Sequence, residues 1–378
     1  MSVIGMTSMR VVPKLPECLT SYFPAECLAG WPQVQKQNFI RLLTLEVFAM
    51  LSTQSSNFFR VLWPYVQIAR IDHWFKNVFM ILGIVLALFY EPELFAWASL
   101  PPLLLAVAAT CLIASSNYVV NELLDAPYDR LHPVKKDRPV PSGKVKTSWA
   151  WMEWFLLGAS GMVLAFSLNA YFGTTALVFL LSGLIYNIPP IRTKELPYLD
   201  VLSEALNNPI RLLLGWFALV TNSIPPLSLV LAYWMVGAFF MATKRFAEYR
   251  RIGDPIRAQG YRKSFGYYTE NRLLLSMFFY AMACSFVSGI FLVRYHMELI
   301  LFVPIGAGFL TYYLKVGLLE DSPVQNPEKL YKEGGFVLYV GLSTLLFLLL
   351  MFSEIPFLYE LFNVNPAIIP PLWTIGGK

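Results

Sequence analysis

The chain alternates long apolar runs with short polar or charged breaks. About 20 helical residues cross the hydrocarbon core of a bilayer, and the pattern predicts nine such segments. They lie near 75–90, 94–120, 149–169, 173–188, 200–219, 225–243, 272–292, 298–317 and 335–352. Asn187-Ile188-Pro189-Pro190 ends the fourth, because proline removes a backbone donor and clashes with the preceding turn. Asp200, Ser203, Glu204, Asn207 and Asn208 crowd the start of the fifth. Residues 1–30 contain Pro13, Pro16 and Pro24 without periodicity and read as a loose arm. The run over 33–52 is broken by Arg41 and Glu46, the pattern of a helix lying in the membrane interface. The stretch from Pro356 is proline-rich and reads as unstructured or interfacial. The expected organisation is an N-terminal arm over 1–60, a membrane domain over 61–352 and a tail over 353–378.

Composition sharpens this picture. Hydrophobic residues make up 57% of the 378 positions and charged residues 14%, where a soluble domain carries about 25% charged residues. No stretch reads as a cleavable signal peptide, since no basic segment leads into a short apolar run near the start. The four cysteines, Cys18, Cys27, Cys111 and Cys284, show no metal spacing. The net charge of +5 matters through its placement. Arg130, Lys135, Lys136, Arg138, Lys144 and Lys146 follow the second span; Arg192 and Lys194 follow the fourth. A larger group from Lys244 to Arg272 follows the sixth, and Lys315, Lys329 and Lys332 mark the loop after the eighth. The intervening loops hold only Arg294. The positive-inside rule then places the basic loops in the cytoplasm and the chain in the plasma (inner) membrane. Nucleic acid is excluded as a partner, because the basic residues sit in short loops rather than on one broad face.

Chemistry concentrates at the end of the second span, in Asn121-Glu122-Leu123-Leu124-Asp125-Ala126-Pro127-Tyr128-Asp129. Asn121, Asp125 and Asp129 recur every four residues and share a helix face. Carboxylates at membrane depth are costly and call for a positive partner. Oxygen ligands at this spacing suit Mg²⁺, which keeps waters and substrate phosphates in its shell. A metal so placed would neutralise charge on a departing diphosphate, with Asp125 and Asp129 the central carboxylates. Lys135 and Arg138 stand ready for phosphates. At the sixth span Lys244 and Glu248 share a face and Arg245 adjoins them. There Glu248 would reach a second metal or hold a water near the first, and Lys244 and Arg245 would bind phosphate oxygens. Arg70, His73, Lys76 and Asn77 open the first span on the same side. The segment from Tyr261 to Thr269 reads as a cap over the cavity, and His296 falls on the opposite side, where no chemistry is expected.

The run Asn121-Glu122-x-x-Asp125-x-x-x-Asp129, followed by Arg138-Pro139 and Gly143, resembles the first acidic motif of the UbiA-type intramembrane prenyltransferases. Glu122 stands where that family has Asp. Tyr186-Asn187 with Pro189, then Arg192, Lys194 and Asp200-Val201-Leu202, resembles the pattern after its fourth span. Lys244-Arg245-x-x-Glu248 replaces the family's usual second aspartate motif. With Arg70-x-x-His73-Trp74-x-Lys76-Asn77, it looks like the polyprenyl-phosphate phosphoribosyltransferase branch, to which decaprenyl-phosphate phosphoribosyltransferase belongs. The resemblance covers roughly residues 60–352. It implies an all-α integral membrane protein with nine transmembrane helices around a central cavity open to the cytoplasm. It implies Mg²⁺ on Asn121, Asp125 and Asp129, and substrate contacts from Arg70, Lys76, Asn77, Lys135, Arg138, Arg192, Lys194, Lys244 and Arg245. The implied partners are a polyprenyl lipid in the bilayer, a phosphorylated donor and downstream membrane enzymes. The implied reaction moves phosphoribosyl from phosphoribosyl pyrophosphate to a polyprenyl phosphate. Two alternatives stay open: prenyl transfer to an aromatic or other small acceptor, and a non-catalytic transporter or lipid-binding protein.

Overall fold

The computed structural model describes Pro32 and residues 60–130, 135–325, 327–364 and 372–375. The chain divides into two units, Met1–Trp63 and Pro64–Lys378. The site and its supporting helices belong to the second; the expected interfacial helix over 33–52 lies outside the described residues.

This is an all-α, multi-pass membrane protein. Among the described residues, eight helices are long and apolar enough to cross a bilayer, from Arg60–Tyr90 to Gly334–Met351. The first ends in α1 (Ile81–Tyr90), entered through a 3-10 stretch, Ile71–Met80. Next come α2 (Leu100–Asp129), α3 (Thr147–Leu168) and α4 (Ala170–Asn187). α2 is the central helix: 56% of its apolar window is buried inside the protein, against 39% or less for the others. That is why the acidic motif at its end lies among other helices rather than in lipid.

The predicted fifth span differs from the expectation. It is built of two short helices, α5 (Leu199–Ala205) and α6 (Asn207–Phe217). Pro209 explains the break: it has no N–H for the Ala205 carbonyl, and its ring crowds that turn. The chain resumes at once, with Ile210 N donating to Leu206 O. α6 packs very closely on α1. A methyl group at Gly83 would run into the Leu212 carbonyl oxygen, and one at Gly215 into that of Met80, so small residues let the two backbones touch.

α7 (Leu227–Ile252) ends at Gly253, whose φ of 69° closes the helix in the left-handed region that glycine adopts without strain. α8 (Pro255–Tyr261) follows, with Asp254 capping the N–H groups of Ile256 and Arg257. α9 (Glu270–Tyr295), α10 (Val303–Gly317) and α11 (Gly334–Met351) complete the long helices. On α9, Leu275, Phe278, Phe279, Met282, Phe286, Ile290 and Val293 are exposed at helical spacing, an apolar stripe suited to lipid. The described part of the tail is more ordered than expected. It forms α12 (Pro356–Leu361), and Trp373–Thr374 pairs antiparallel with Ser223–Ile224. His296, at the far end of α9, bonds to the Leu350 carbonyl and to Glu298, whose carboxylate also receives Ile355 N and the Tyr359 hydroxyl. This cluster fastens the end of α11 to the start of the preceding span.

Candidate active site

The face of α2 that carries the site is a stripe of Tyr118, Asn121, Asp125 and Asp129, spaced three or four residues apart. At its outer end Arg138 donates to Asp129 Oδ2 at 2.7 Å, and Lys135 Nζ lies 4.0 Å from Oδ1. The loop bearing them is held down by Glu122, whose Oε1 accepts the Val140 N–H at 3.1 Å. Glu122 therefore anchors the basic loop. Gly143, at φ 76°, turns the loop back.

One turn deeper, Asp125 Oδ1 receives Arg192 Nη2 at 2.9 Å and Lys194 Nζ at 2.5 Å. Lys194 also donates to Asn187 Oδ1 at 2.8 Å, and Asn121 Nδ2 donates to the same oxygen at 2.5 Å. Asn187, the last residue of α4, thus ties Asn121 to Lys194. The segment after α4 folds back sharply, with a cis Pro189–Pro190 bond and Arg192 in the left-handed region. This delivers both cations onto α2. Burial draws the Lys194 ammonium down to about 8 against the pull of Asp125, and burial also lowers Lys135.

A second cluster centres on Arg245 of α7, which is fully enclosed. Its Nε meets Asp200 Oδ2 at 3.1 Å, Nη2 meets Glu204 Oε2 at 2.6 Å and Nη1 meets Glu248 Oε2 at 3.1 Å. Asp200 further accepts from the Tyr268 hydroxyl at 2.7 Å, Ser264 at 3.2 Å and Arg262 at 3.5 Å. The expected capping segment therefore folds onto α5. The two clusters adjoin. Lys194 Nζ lies 5.9 Å from the Tyr186 ring, whose hydroxyl donates to Glu204 at 3.1 Å. Lys135 Nζ lies 4.9 Å from the Tyr261 ring, and Lys263 bridges to Glu195 at 2.7 Å.

The sequence-predicted residues are thus sorted. Asn121, Asp125, Asp129, Lys135, Arg138, Arg192 and Lys194 come together. Arg245 and Glu248 come together, with Lys244 in electrostatic range of Glu204 and Glu248. Arg245 differs from the expectation in one respect: its guanidinium is spent on three carboxylates rather than turned to a substrate. Arg70 and Lys76 converge on the Tyr118 ring, each 5.8 Å from its centroid. Asn77 is buried, accepting from Arg211 Nε at 3.0 Å and donating to Cys111 Sγ at 3.2 Å. Sequence reasoning passed over Tyr118, although it precedes Asn121 by three residues on the same face. It named Glu204 only as a polar residue, although Glu204 follows Asp200 by four. No spacing rule links Arg262, Ser264 and Tyr268 to Asp200, because that contact joins distant segments.

The model of the UbiA prenyltransferase family matches residues 77–340, a stretch that contains both clusters. The chain belongs to the UbiA prenyltransferase family. Among the family's curated members, it is 29% identical over 213 residues to the decaprenyl-phosphate phosphoribosyltransferase of Mycolicibacterium smegmatis, covering 55% of this chain and 63% of that protein. The Mycobacterium tuberculosis protein of the same name is 29% identical over 212 residues, covering 55% and 67%. Nodulation protein NoeC of Azorhizobium caulinodans is 31% identical over 205 residues, covering 53% and 63%. The chain thus spans less than two thirds of the length of NoeC and of the M. smegmatis relative. A UbiA homolog from Archaeoglobus fulgidus bound to GPP and Mg2+ shares the fold, with a TM-score of 0.55 at 16% identity over 75% of this chain and 99% of that one.

Proposed function

We propose that this protein transfers the 5-phosphoribosyl group of phosphoribosyl pyrophosphate to a polyprenyl phosphate, at the cytoplasmic face of a membrane. The observation that carries the reading is the charge of the site. Three carboxylates, Asp125, Asp129 and Glu195, are met by five cations: Arg138, Lys135, Arg192, Lys194 and Lys263. The surplus positive charge suits a donor with both a diphosphate and a 5-phosphate, and an acceptor with a phosphate of its own. The recurrence of decaprenyl-phosphate phosphoribosyltransferases among the relatives supports the same choice. In this reading the two-part helix α5–α6 completes a nine-helix arrangement around the substrate cavity.

Mg²⁺ fits the stripe. Its side chains offer oxygen donors, and the carboxylates already accept positive charge, as Lys194 on Asp125 demonstrates. Among the described residues no three His, Cys, Asp or Glu groups cluster as a metal nest. The protein would thus supply part of a coordination shell, as magnesium sites that share phosphates and waters do. Asn121, Asp125 and Asp129 would hold the ion, which when bound supplies charge neutralisation for the leaving diphosphate.

The remaining roles follow from the side chains. Arg192 and Lys194 exchange Asp125 for donor phosphate oxygens, and Arg138 and Lys135 do the same from Asp129. Lys244 faces the donor from α7. Glu248 and Glu204, held in place by Arg245, are positioned for ribose hydroxyls. A phosphate oxygen of the lipid attacks ribose C1 as the C1–O bond to diphosphate breaks, and diphosphate leaves with the bonding electrons. No general base is required, since the acceptor is already anionic near pH 7.

A second reading keeps prenyl transfer to a small acceptor, favoured by 30% identity over 151 residues to the 2-acylphloroglucinol 4-prenyltransferase of Humulus lupulus. One assay separates the two. Purified protein with Mg²⁺ should release diphosphate from phosphoribosyl pyrophosphate only when polyprenyl phosphate is present. Consumption of a prenyl diphosphate with an aromatic acceptor instead would refute the phosphoribosyl reading.

A further inference from the structure

Arg211 differs from the other buried cations. It lies within α6 at 6% exposure, and its bonds go to neutral groups. Nε donates to Asn77 Oδ1 at 3.0 Å, Nη1 donates to Asn207 O at 3.3 Å, and the guanidinium carbon sits 4.8 Å from the Phe179 centroid. Among the described residues no carboxylate pairs with it, whereas Arg138, Arg192, Arg245, Arg262 and Lys194 each have one. Its titratable neighbours are Tyr118, Tyr233 and Cys111, groups that are ordinarily neutral at pH 7. A guanidinium taken from water without a counter-charge costs several kcal/mol, and an ionisable group inside a membrane bundle marks function by default.

Two features fix this cation where it stands. Gly83 and Gly215 let α1 and α6 meet backbone to backbone, which sets Asn77 opposite Arg211. Asn207, at the head of α6, holds the other side of the guanidinium. Tyr118, the inner end of the α2 stripe, is one of the titratable neighbours of Arg211, and Arg70 and Lys76 each lie 5.8 Å from its ring. Arg211, Arg70 and Lys76 thus lie around Tyr118, two helical turns from Asp125, with Glu204 and Asp72 the carboxylates in its electrostatic range. The outer end of the stripe has carboxylates among its cations; the Tyr118 end has none on α2.

We propose that Arg211 makes the inner end of the stripe an anion subsite of its own, selecting acceptors that carry a phosphate or similar anionic head group. The assignment rests on the phosphoribosyl-transfer reading for the identity of the acceptor, not for the existence of the subsite. Arg211 is a specificity-determining positioning residue. It holds Asn77 beside Lys76 and adds a fixed positive charge behind Tyr118, while Lys76 and Arg70 make the contact.

The test uses the full chain in nanodiscs. Binding of a polyprenyl monophosphate and of the corresponding neutral polyprenol is measured without donor, and KM values for acceptor and phosphoribosyl pyrophosphate are measured with it. Wild-type protein should bind the phosphate at least about tenfold more tightly than the alcohol, the scale of one charge acting across about 10 Å of partly dry protein. Arg211→Met should remove most of that ratio and raise the acceptor KM on the order of tenfold, leaving the donor KM and polyprenol binding unchanged. Arg211→Lys should restore the ratio. Should the Met variant not fold, Arg211→Gln, which can keep the Asn77 bond without the charge, takes its place. A wild-type ratio near one overturns the proposal. So does a neutral variant that keeps the ratio, or one that loses turnover with both KM values intact, as a purely structural residue would. Absence of wild-type turnover with phosphoribosyl pyrophosphate refutes the transfer reading alone, since the binding ratio involves no donor.

Discussion

Replacing Arg245 with methionine separates two accounts of the α7 cluster. If Arg245 were a phosphate ligand, its loss would weaken donor binding and leave the fold alone. The structure instead makes it the shared partner of Asp200, Glu204 and Glu248. Removing one member of a buried ion cluster costs about 3–5 kcal/mol, because the remaining charges stay desolvated. The present geometry points to the lower part of that range. Asp200 has no exposure but keeps Tyr268, Ser264 and Arg262, while the Glu204 side chain retains 29% exposure and Glu248 13%, so water can reach both. A loss of about 3 kcal/mol corresponds to a fall in Tm of about 4 °C for a chain of this size. Thermal unfolding in detergent, followed by tryptophan fluorescence, reads it directly. Arg245→Met/Glu204→Gln should recover part of the loss, since one stranded carboxylate is neutralised. An Arg245→Met protein with unchanged Tm and a donor KM raised tenfold or more would refute the reasoning and return Arg245 to the phosphate ligands.

Other consequences follow from the same geometry. Asp125→Asn should cut turnover by about 10²-fold or more, the scale of a lost transition-state charge contact, with a lower Tm as well, because Arg192 and Lys194 lose their charged partner even though an amide oxygen can still accept from Lys194; retained turnover would remove the metal assignment. Chelation of divalent ions should abolish diphosphate release and added Mg²⁺ restore it, which a diphosphate assay with EDTA checks. Gly83→Ala should destabilise by about 1–3 kcal/mol, since the new methyl meets the Leu212 carbonyl; thermal unfolding measures this, and an unchanged Tm would contradict the backbone contact. His296→Ala should cost about 1–2 kcal/mol through the stranded Leu350 and Glu298 partners with both KM values unchanged; an altered KM would give the far end of the bundle a part in the chemistry.

What could be read from sequence was what repeats along the chain. Spans declare themselves through apolar length, and the stripe through a period of four, so Asn121, Asp125 and Asp129 were legible before any coordinates. Arg192 and Lys194 were legible as cations after a proline break. Their landing on Asp125 was not, because it depends on the fold-back after Asn187. The fifth span was read as continuous although Pro209 stands inside it between Asn208 and Ile210, and proline's missing donor was already the argument at Pro189. The partners of Arg245 were not legible for a related reason. A basic residue at a span end snorkels or binds phosphate by default, and only three-dimensional packing shows three carboxylates from α5 and α7 closing on it. Tail residues such as Trp373 gave no local signal, because their strand exists only by pairing with Ser223–Ile224.

The pairing of charges in the site also bears on how a membrane protein can keep a phosphate site ready without unfolding around it. Cations left alone at the membrane edge would repel one another, and bare carboxylates would demand water. Pairing Asp125 with Arg192 and Lys194, and Asp129 with Arg138, neutralises much of each charge in the free state. Burial draws the Lys194 ammonium down to about 8 even so, its side chain being only 9% exposed. A donor bringing phosphates to the cations and a metal to the carboxylates would exchange partners one for one, leaving no charge stranded at any stage. Either component alone would strand the other's partners. The same physics that keeps the free site stable therefore favours joint entry of metal and diphosphate, and binding of phosphoribosyl pyrophosphate should be weak without Mg²⁺ even where turnover is not being measured.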